Sequence, residues 1–193
     1  MISYKIIFYV IIISVLFVRI GVSSENKLKE ANILFDNGKY LESVNLVSKN
    51  NSIESYIFSA KTLAIYGHFL LEGEEAKQVF KKAREFAFLA LENDYNNDNA
   101  HLEAAHTMGR YSQSIGILSA LKEGYAEKIS FHLDEAIKIN PKNILAQISK
   151  GTWHAEIVDK AGFMANILYG ATADQARIHY EKALKLNKND LGV

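Results

Sequence analysis

Gly151-Thr152-Trp153 decides the fold of this chain, because the same glycine, spacer and aromatic occur twice before it. Gly67-His68-Phe69 and Gly109-Arg110-Tyr111 are the earlier copies, and the three glycines recur every 42 residues. A fixed period of this size is typical of a supersecondary unit that is repeated along a chain. The sequence therefore predicts an array of similar units.

A second pattern follows each of these glycines. Three residues spaced four and then three apart recur, and the first members of successive sets are 46 and 47 residues apart. The sets are Ala83-Ala87-Ala90, Ile129-Leu133-Ala136 and Ala176-Tyr180-Ala183. This spacing places the members of each set on one face of a helix. Two interlocked patterns of nearly equal period predict one unit, a pair of helices, that is used three times.

Composition limits the classes of function. The 193 residues are 49% hydrophobic and 23% charged, which is typical of one ordinary folded domain. Basic and acidic residues both number 22, so no net field favours nucleic acid or anionic lipid, and no basic stripe is present. The absence of cysteine excludes disulfides and thiolate metal sites. A single proline, Pro141, suits a chain that is helical nearly throughout.

The N-terminus has the features of a targeting segment. Lys5 precedes an uncharged run of apolar or small residues, Ile6 to Val18. This run is shorter than the roughly 20 residues that span a bilayer. Val22 and Ser24 then provide small residues at the −3 and −1 positions of a cleavage site before Glu25.

We therefore predict a signal peptide at residues 1–24 and a helical repeat domain at residues 25–193. Arg19, directly after the apolar run, leaves an alternative open, which is an uncleaved anchor formed by residues 6–22. Both interpretations place the body of the protein outside the cytoplasm, in the periplasm or another extracytoplasmic space.

Glycine, proline and capping residues predict the helix boundaries. Gly38 and Gly170 are placed to end helices in the left-handed region, and Ser52 and Thr172 to cap helix starts. Asn140-Pro141 is expected to separate two helix pairs, since proline is allowed at the first position of a helix but not in its interior. The fold class is all-α, an α-solenoid of four antiparallel hairpins. Its helices are predicted at about residues 26–37, 40–49, 53–71, 74–92, 98–118, 122–139, 143–169 and 173–187.

Small residues form a stripe in each of the two longest predicted helices, and each stripe contains a repeated glycine. Glycine inside a helix costs about 1 kcal/mol relative to alanine. Its recurrence at one place therefore predicts a close approach of two backbones, with the neighbouring aromatic filling the space beside the contact. A role as hinge or ligand contact is the alternative. The predicted structural positions are Gly67, Gly109, Tyr111, Gly151, Trp153, Ala136 and Ala183.

These features resemble the tetratricopeptide repeat over about residues 26–190. Ile129, Leu133, Ala136 and Pro141 match the spacing of that family's second helix, and Gly38-Lys39-Tyr40 resembles its inter-helix turn. The units here exceed the family's period of about 34 residues, so their hairpins are longer. Long hairpins of this kind are similar to the regulators of microtubule dynamics and their bacterial relatives, and to periplasmic helical subunits associated with TRAP transporters.

The resemblance implies a binding site, because the first helix of each tetratricopeptide pair lines a concave groove. Carrying those positions over from each glycine gives mostly polar residues, and four of them share one face of the 98–118 helix. A solvated helix face is the alternative interpretation. The candidate groove residues are His68, Glu103, His106, Arg110, Gln113, Thr152 and Glu156.

Signals of catalysis are weak. The chain has no His-Glu-x-x-His motif, phosphate loop or nucleophile elbow. His101 and His106 lie about 140° apart around a helix, so they cannot share a metal ion. We predict no catalytic residue, no metal site and no cofactor. A hydrolase or metal enzyme built across helices is the less favoured alternative.

The predicted function is therefore an exported, non-catalytic scaffold that binds a protein or peptide, with no nucleic acid and no membrane contact beyond the N-terminal segment. The alternative is a periplasmic small-ligand carrier or transporter-associated subunit, which needs an enclosed apolar pocket. The apolar residues of the last helix cover an arc of about 160°, more than the roughly 100° that one neighbour requires. This surplus predicts self-association through the C-terminal hairpin, or its completion by residues beyond Val193.

The export prediction is tested by the mass of the mature protein. Signal peptidase should cut after the small residues at positions 22 and 24, so the intact mass should correspond to a chain that begins near Glu25. A membrane-bound product that retains Met1 would instead support the anchor formed by residues 6–22.

Overall fold

The computed structural model describes residues 24–190, and side chains through residue 187. The predicted signal peptide, apart from Ser24, lies outside the described residues. Within the described range the chain forms ten helices and no strand. Helices α1 to α10 cover residues 24–36, Tyr40–Val47, Ile53–Leu70, Gly73–Asn93, Asp98–Ile115, Ile117–Lys122, Tyr125–Ile139, Ile144–Ala161, Met164–Tyr169 and Ala173–Asp190.

The helices pack as successive antiparallel hairpins, as predicted. Helix α3 packs against α4, α5 against α7, and α8 against α10, while α1 and α2 form a shorter first pair. Each following first helix also packs on the hairpin before it, as α5 does on α3 and α4. The short helices α6 and α9 lie at the tips of the third and fourth hairpins. No helix in the part that the structure describes is both long and apolar enough to cross a membrane.

Side chains cap the long first helices of the hairpins. Ser52 Oγ accepts a hydrogen bond from the Ser55 backbone N–H at 3.2 Å, and Asn97 caps α5 in the same way. Helix α8 starts within one residue of the predicted position, and Asn140-Pro141 separates it from α7 as predicted. Pro141 lies in a turn before the helix, and the side chain of Asn143 caps α8 by accepting from the Ala146 backbone N–H at 3.0 Å. An oxygen acceptor satisfies a free N–H there, which proline cannot do.

The repeated small residues of the second helices form the core. Ala83, Ala87, Ala90 and Ala136 are fully buried, and Ala183 is 4% exposed. One apolar cluster joins α3, α4 and α5, and a second joins α5, α7 and α8. Because α5 contributes to both clusters, the core continues from hairpin to hairpin rather than closing within each one.

Two glycines end helices that the sequence predicts to be longer. Gly116 has φ 82° and Gly162 has φ 54°. Glycine adopts such positive φ values readily, whereas other residues rarely do. The predicted helices at 98–118 and 143–169 are therefore wrong at their ends, since α5 stops at Ile115 and α8 stops at Ala161. The chain turns at each glycine and forms the tip helices α6 and α9.

A close contact occurs at two of the three repeated glycines, and the predicted approach of a second backbone occurs only at Gly151, where the Ala176 carbonyl oxygen would lie 3.1 Å from an added Cβ. A Cβ at Gly67 would lie 2.7 Å from Cε1 of Phe80, and a Cβ at Gly151 would lie 2.9 Å from Cε1 of Tyr180. A Cβ at Gly109 would meet no atom within 4 Å, so the packing expectation fails at that glycine. We also predicted that the aromatic residue after each glycine fills the space beside the helix contact. Trp153 does so and is 7% exposed, whereas Phe69 is 73% exposed and does not.

One substitution should therefore have opposite effects at two equivalent glycines. Gly109→Ala should stabilise the fold by about 0.5–1 kcal/mol, because alanine favours the helix and the added methyl group meets open space. Gly151→Ala should destabilise it by about 1–3 kcal/mol, because the methyl group would press on the Tyr180 ring and the Ala176 carbonyl. Urea unfolding measures both free energies, and effects of the same sign would contradict the contact geometry.

Candidate functional site

Three of the predicted groove residues come together on successive first helices. His68 lies on α3, Arg110 on α5 and Glu156 on α8. The pKa of His68 is lowered by partial burial and by the positive charge of Arg110. Burial lowers the pKa of Arg110, and the negative charge of Glu156 partly offsets that effect. These couplings place His68 and Glu156 each within electrostatic reach of Arg110, and we call the three residues the polar strip.

Arg110 occupies the middle of the polar strip. Its side chain is half-buried, and Nη1 donates a hydrogen bond to Oε1 of the exposed Gln113 at 3.3 Å. Glu156 forms its ion pair with Lys160 at 3.0 Å rather than with Arg110. A guanidinium has five N–H donors, so Arg110 keeps donors for a further acceptor.

Glu103 and His106 connect α5 to α8 beneath the polar strip. His106 Nε2 lies 2.7 Å from Ser149 Oγ on α8, and His106 Nδ1 lies 3.6 Å from Glu103 Oε2. Glu103 is only 5% exposed, so it does not form part of the exposed polar face that the sequence predicts. It lies beside the His106 ring on the same helix, and the contact of His106 with Ser149 joins α5 to α8.

The order Ser149, His106, Glu103 resembles that of a hydrolase triad, but the geometry departs from what acyl transfer requires. The separation between His106 and Glu103 exceeds hydrogen-bond length. Ser149 lies inside α8, where backbone N–H groups bond within the helix and cannot form an oxyanion hole. The contact therefore serves to join two helices. Among residues 24–190, no group of three or more His, Asp or Glu is arranged to hold a metal ion.

Thr152 and the predicted structural aromatics make contacts between helices. Thr152 Oγ1 lies 3.1 Å from Tyr180 Oη, which ties α8 to α10. Trp153 Nε1 donates to the Ala126 carbonyl at 2.9 Å. The Tyr111 ring lies 4.4 Å from the guanidinium of Arg84 on α4. These residues position the first helices, and the exposed hydroxyl of Thr152 is already engaged by its neighbour.

A buried pair of histidines, which the sequence analysis does not predict, joins α5 to α7. His101 Nε2 lies 2.9 Å from the Tyr95 carbonyl, so this nitrogen carries the donated proton. His101 Nδ1 lies 2.9 Å from His132 Nδ1, and a neutral pair satisfies this contact when His132 donates. Burial, aided by the nearby His101, lowers the pKa of His132 to about 4, although Glu135 opposes the shift.

A second pair repeats this arrangement between α8 and α10. His154 and His179 stack with ring centroids 5.7 Å apart, and His179 Nδ1 donates to Gln147 Oε1 at 2.8 Å. Burial lowers the pKa of His179 to about 4, with the cations of Lys182 and Lys150 acting in the same direction and Asp134 opposing them. Histidines at two successive hairpin interfaces are therefore held neutral.

The fold should lose stability in acid because of these histidines. The folded-state pKa of His132 lies below its ordinary value of 6.5, so unfolding takes up a proton at pH values between the two. The stability that neutral His132 provides is complete above about pH 6.5 and falls as the pH drops towards 4, by up to about 3 kcal/mol.

His132→Gln tests this expectation, because the amide can still donate to His101 Nδ1 but does not titrate. Urea unfolding between pH 7 and pH 4.5 should show a smaller loss of free energy for this variant than for the wild type. His68→Gln is the control on an exposed histidine, whose smaller pKa shift means that this variant should reduce the acid sensitivity much less than His132→Gln does. If the free energy of unfolding depended on pH equally in His132→Gln and the wild type, the acid sensitivity could not be assigned to His132.

Comparisons with known proteins bear on the fold and the family. The family model described as regulator of microtubule dynamics protein 1-3 matches residues 27–192. TTC0263, a thermophilic TPR protein in Thermus thermophilus, is similar with a TM-score of 0.57 and 18% identity, covering 88% of this chain and 94% of that one. A crystal structure of MamA gives a TM-score of 0.54 and 16% identity, covering 88% and 81%. No curated protein sequence matches significantly. The predicted tetratricopeptide-like fold is confirmed.

Proposed function

The chain belongs to the regulator of microtubule dynamics protein 1-3 family, and on this premise we propose that it is an exported, non-catalytic scaffold that binds a protein or peptide along the polar strip. Helical-repeat arrays commonly act as binding surfaces, which supports the class of function. The apolar run at residues 6–18 supports export. Neither a cofactor nor a reaction is part of this proposal.

Arg110 is the residue whose geometry carries the proposal. It lies on the middle first helix, between a histidine and a carboxylate from the two neighbouring helices. Partial burial strengthens the hydrogen bonds of a charged donor by excluding water from around them. A guanidinium binds carboxylates through two parallel hydrogen bonds. The proposed ligand is therefore an extended peptide that presents an acidic side chain or a terminal carboxylate to Arg110.

The carrier alternative has less support from the geometry. A small-ligand carrier needs an enclosed apolar pocket with a few convergent polar groups. A cavity of about 610 Å³ lies between α8 and α10, but it is an open groove at the end of the array. An open groove suits a docking helix better than it suits a sequestered small molecule.

A synthetic peptide library with free C-terminal carboxylates tests the role of Arg110. The wild type should select peptides that carry a carboxylate, and Arg110→Ala should weaken their binding by about tenfold or more, because a charge-assisted pair is lost. Lys81→Ala is the control, since it removes an exposed cation from the outer helix α4 and should leave the affinity unchanged.

Arg110→Lys keeps the charge but not the two-pronged donor geometry, so it should restore only part of the affinity. Fluorescence anisotropy of the selected peptides measures the dissociation constants of the wild type, Arg110→Ala, Arg110→Lys and Lys81→Ala. The absence of selected peptides, or equal binding by Arg110→Ala and the wild type, would overturn the proposal.

A further inference from the structure

Helix α10 repeats the sequence pattern of α4 and α7, and this equivalence identifies an uncovered surface. The shared alanines Ala90, Ala136 and Ala183 define matching positions along the three second helices. At the position after the alanine, Leu91 is 6% exposed and Ile137 is packed against the core. Leu184 occupies the same position on α10 and is 61% exposed.

The two earlier second helices use this face to receive the next first helix. Arg84 on α4 lies over the Tyr111 ring of α5. The matching residue on α7, Ser130, accepts a hydrogen bond at 2.6 Å from Lys150 of α8, which also pairs with Asp134 at 2.8 Å. The face is therefore the established contact between one hairpin and the next.

On α10 the same positions line the open groove between α8 and α10. Arg177 corresponds to Arg84 and Ser130, and Glu181 corresponds to Asp134. Together with Leu184 and Tyr180 of α10, and with Ala155 and Val158 of α8, they surround the cavity of about 610 Å³. We call this surface the terminal face. It is formed by the positions that contact the next first helix on α4 and α7, and no helix among residues 24–190 covers it.

We propose that the terminal face binds the same face of a second copy of this chain, as a two-fold symmetric dimer in which the α10 helices pack antiparallel. The charges on the face favour this occupant over an unrelated helix. Arg177 and Glu181 lie one turn apart on α10 and pair with each other at 3.0 Å in the single chain. An antiparallel crossing near residue 179 brings Arg177 of one copy opposite Glu181 of the other, and the symmetry repeats the pair.

The apolar residues fit the same arrangement. Leu184 and Tyr180 lie along the groove, flanked by the small side chains of Ala155, Ala173 and Ala176. Large side chains of one copy can enter the spaces above the alanines of the other, as ridges enter grooves between packed helices. The formal net charge of the full chain is zero, and without residues 1–24, which contain Lys5 and Arg19, it is −2 from 20 basic and 22 acidic residues, so two copies meet little overall repulsion. The dimer covers on α10 the face that receives the next hairpin on α4 and α7, with a second helix in the place of a first helix.

The cysteine-free chain allows a direct test by thiol cross-linking. Leu184→Cys in the full chain, treated in nonionic detergent with a bismaleimide that can span about 20 Å, should give a cross-linked dimer on a denaturing gel, because the two Leu184 positions lie about 15 Å apart along the helix axes in a crossing near residue 179. Leu118→Cys is the control, because Leu118 is 80% exposed on the tip helix α6 and lies outside the terminal face. Cross-linking of the Leu118→Cys control to the same extent would indicate random collision and overturn the proposal.

A charge exchange tests the symmetry. Arg177→Glu should weaken the dimer by about tenfold, because it places like charges opposite each other, and the double variant Arg177→Glu/Glu181→Arg should restore it. Sedimentation of the full chain in detergent measures the dissociation constants, and circular dichroism checks that the helices remain. Failure of the double variant to recover, a concentration-dependent ladder beyond the dimer, or a wild-type monomer at about 0.1 mM would each overturn the proposal.

The dimer and the peptide-binding function are tested separately. Arg110 lies on α5, away from the terminal face, so Arg110→Ala should leave the cross-linking of Leu184→Cys unchanged. Arg177→Glu should likewise leave peptide selection unchanged. Loss of both properties in either variant would contradict the assignment of two independent surfaces.

Discussion

The close approach of the two helices in each hairpin is the constraint on which the rest of the structure depends. Ala83, Ala87 and Ala90 are fully buried, so α4 presents only methyl groups to its neighbours at these positions. Gly67 has no side chain where the Phe80 ring of the same hairpin lies, and Gly151 makes the same space for Tyr180. Side chains at a helix contact set the separation of the two axes. Each ring therefore fixes the position of its glycine along the helix axis, and this position sets the register of the two helices in the hairpin.

Polar contacts then fix how one hairpin packs on the next. Lys150 is 5% exposed, and burial of its ammonium group is costly unless the charge is paired. Asp134 and Ser130 supply the partners from the preceding hairpin. A displacement of α8 by one turn would leave the charge of Lys150 buried without an acceptor. The alanine contacts are tolerant of such a slip, so the polar pairs define the stacking and the apolar contacts provide most of its stability.

The sequence predicted the hairpins well because their signals are local. Most predicted helices begin within about two residues of the expected positions, since caps such as Ser52 and turn residues such as Gly170 act on adjacent backbone. Glycine was ambiguous. Gly67, Gly109 and Gly116 all lie within predicted helices. In the structure an added Cβ at Gly67 would contact an aromatic ring and one at Gly109 would contact no atom, whereas Gly116 has a positive φ and turns the chain. Those outcomes depend on the opposing helix or on the local φ angle, which spacing alone does not specify.

The candidate site was predicted in part, for a related reason. The residue types of His68, Arg110 and Glu156 indicated a polar surface, and the structure brings His68 and Glu156 each within electrostatic reach of Arg110. The burial of Glu103 and the contact of His106 with Ser149 were not predictable, because both depend on how α5 packs against other helices, and Ser149 lies 43 residues along the chain. The histidine pairs were missed because their partners lie on different helices. Attention to apolar-facing histidines on both helices of one hairpin could have found them.

The repeated glycine, spacer and aromatic separates packing positions from surface positions. Consecutive helical residues point about 100° apart, so the three members of the motif face three different directions. At Gly67 and Gly151 the glycine faces the second helix, and Trp153 enters the core. The spacers His68 and Thr152 are exposed, although the Thr152 hydroxyl also contacts Tyr180 on α10. A substitution at His68 therefore changes the surface without loss of a packing contact, whereas a substitution at Thr152 also removes a contact between α8 and α10.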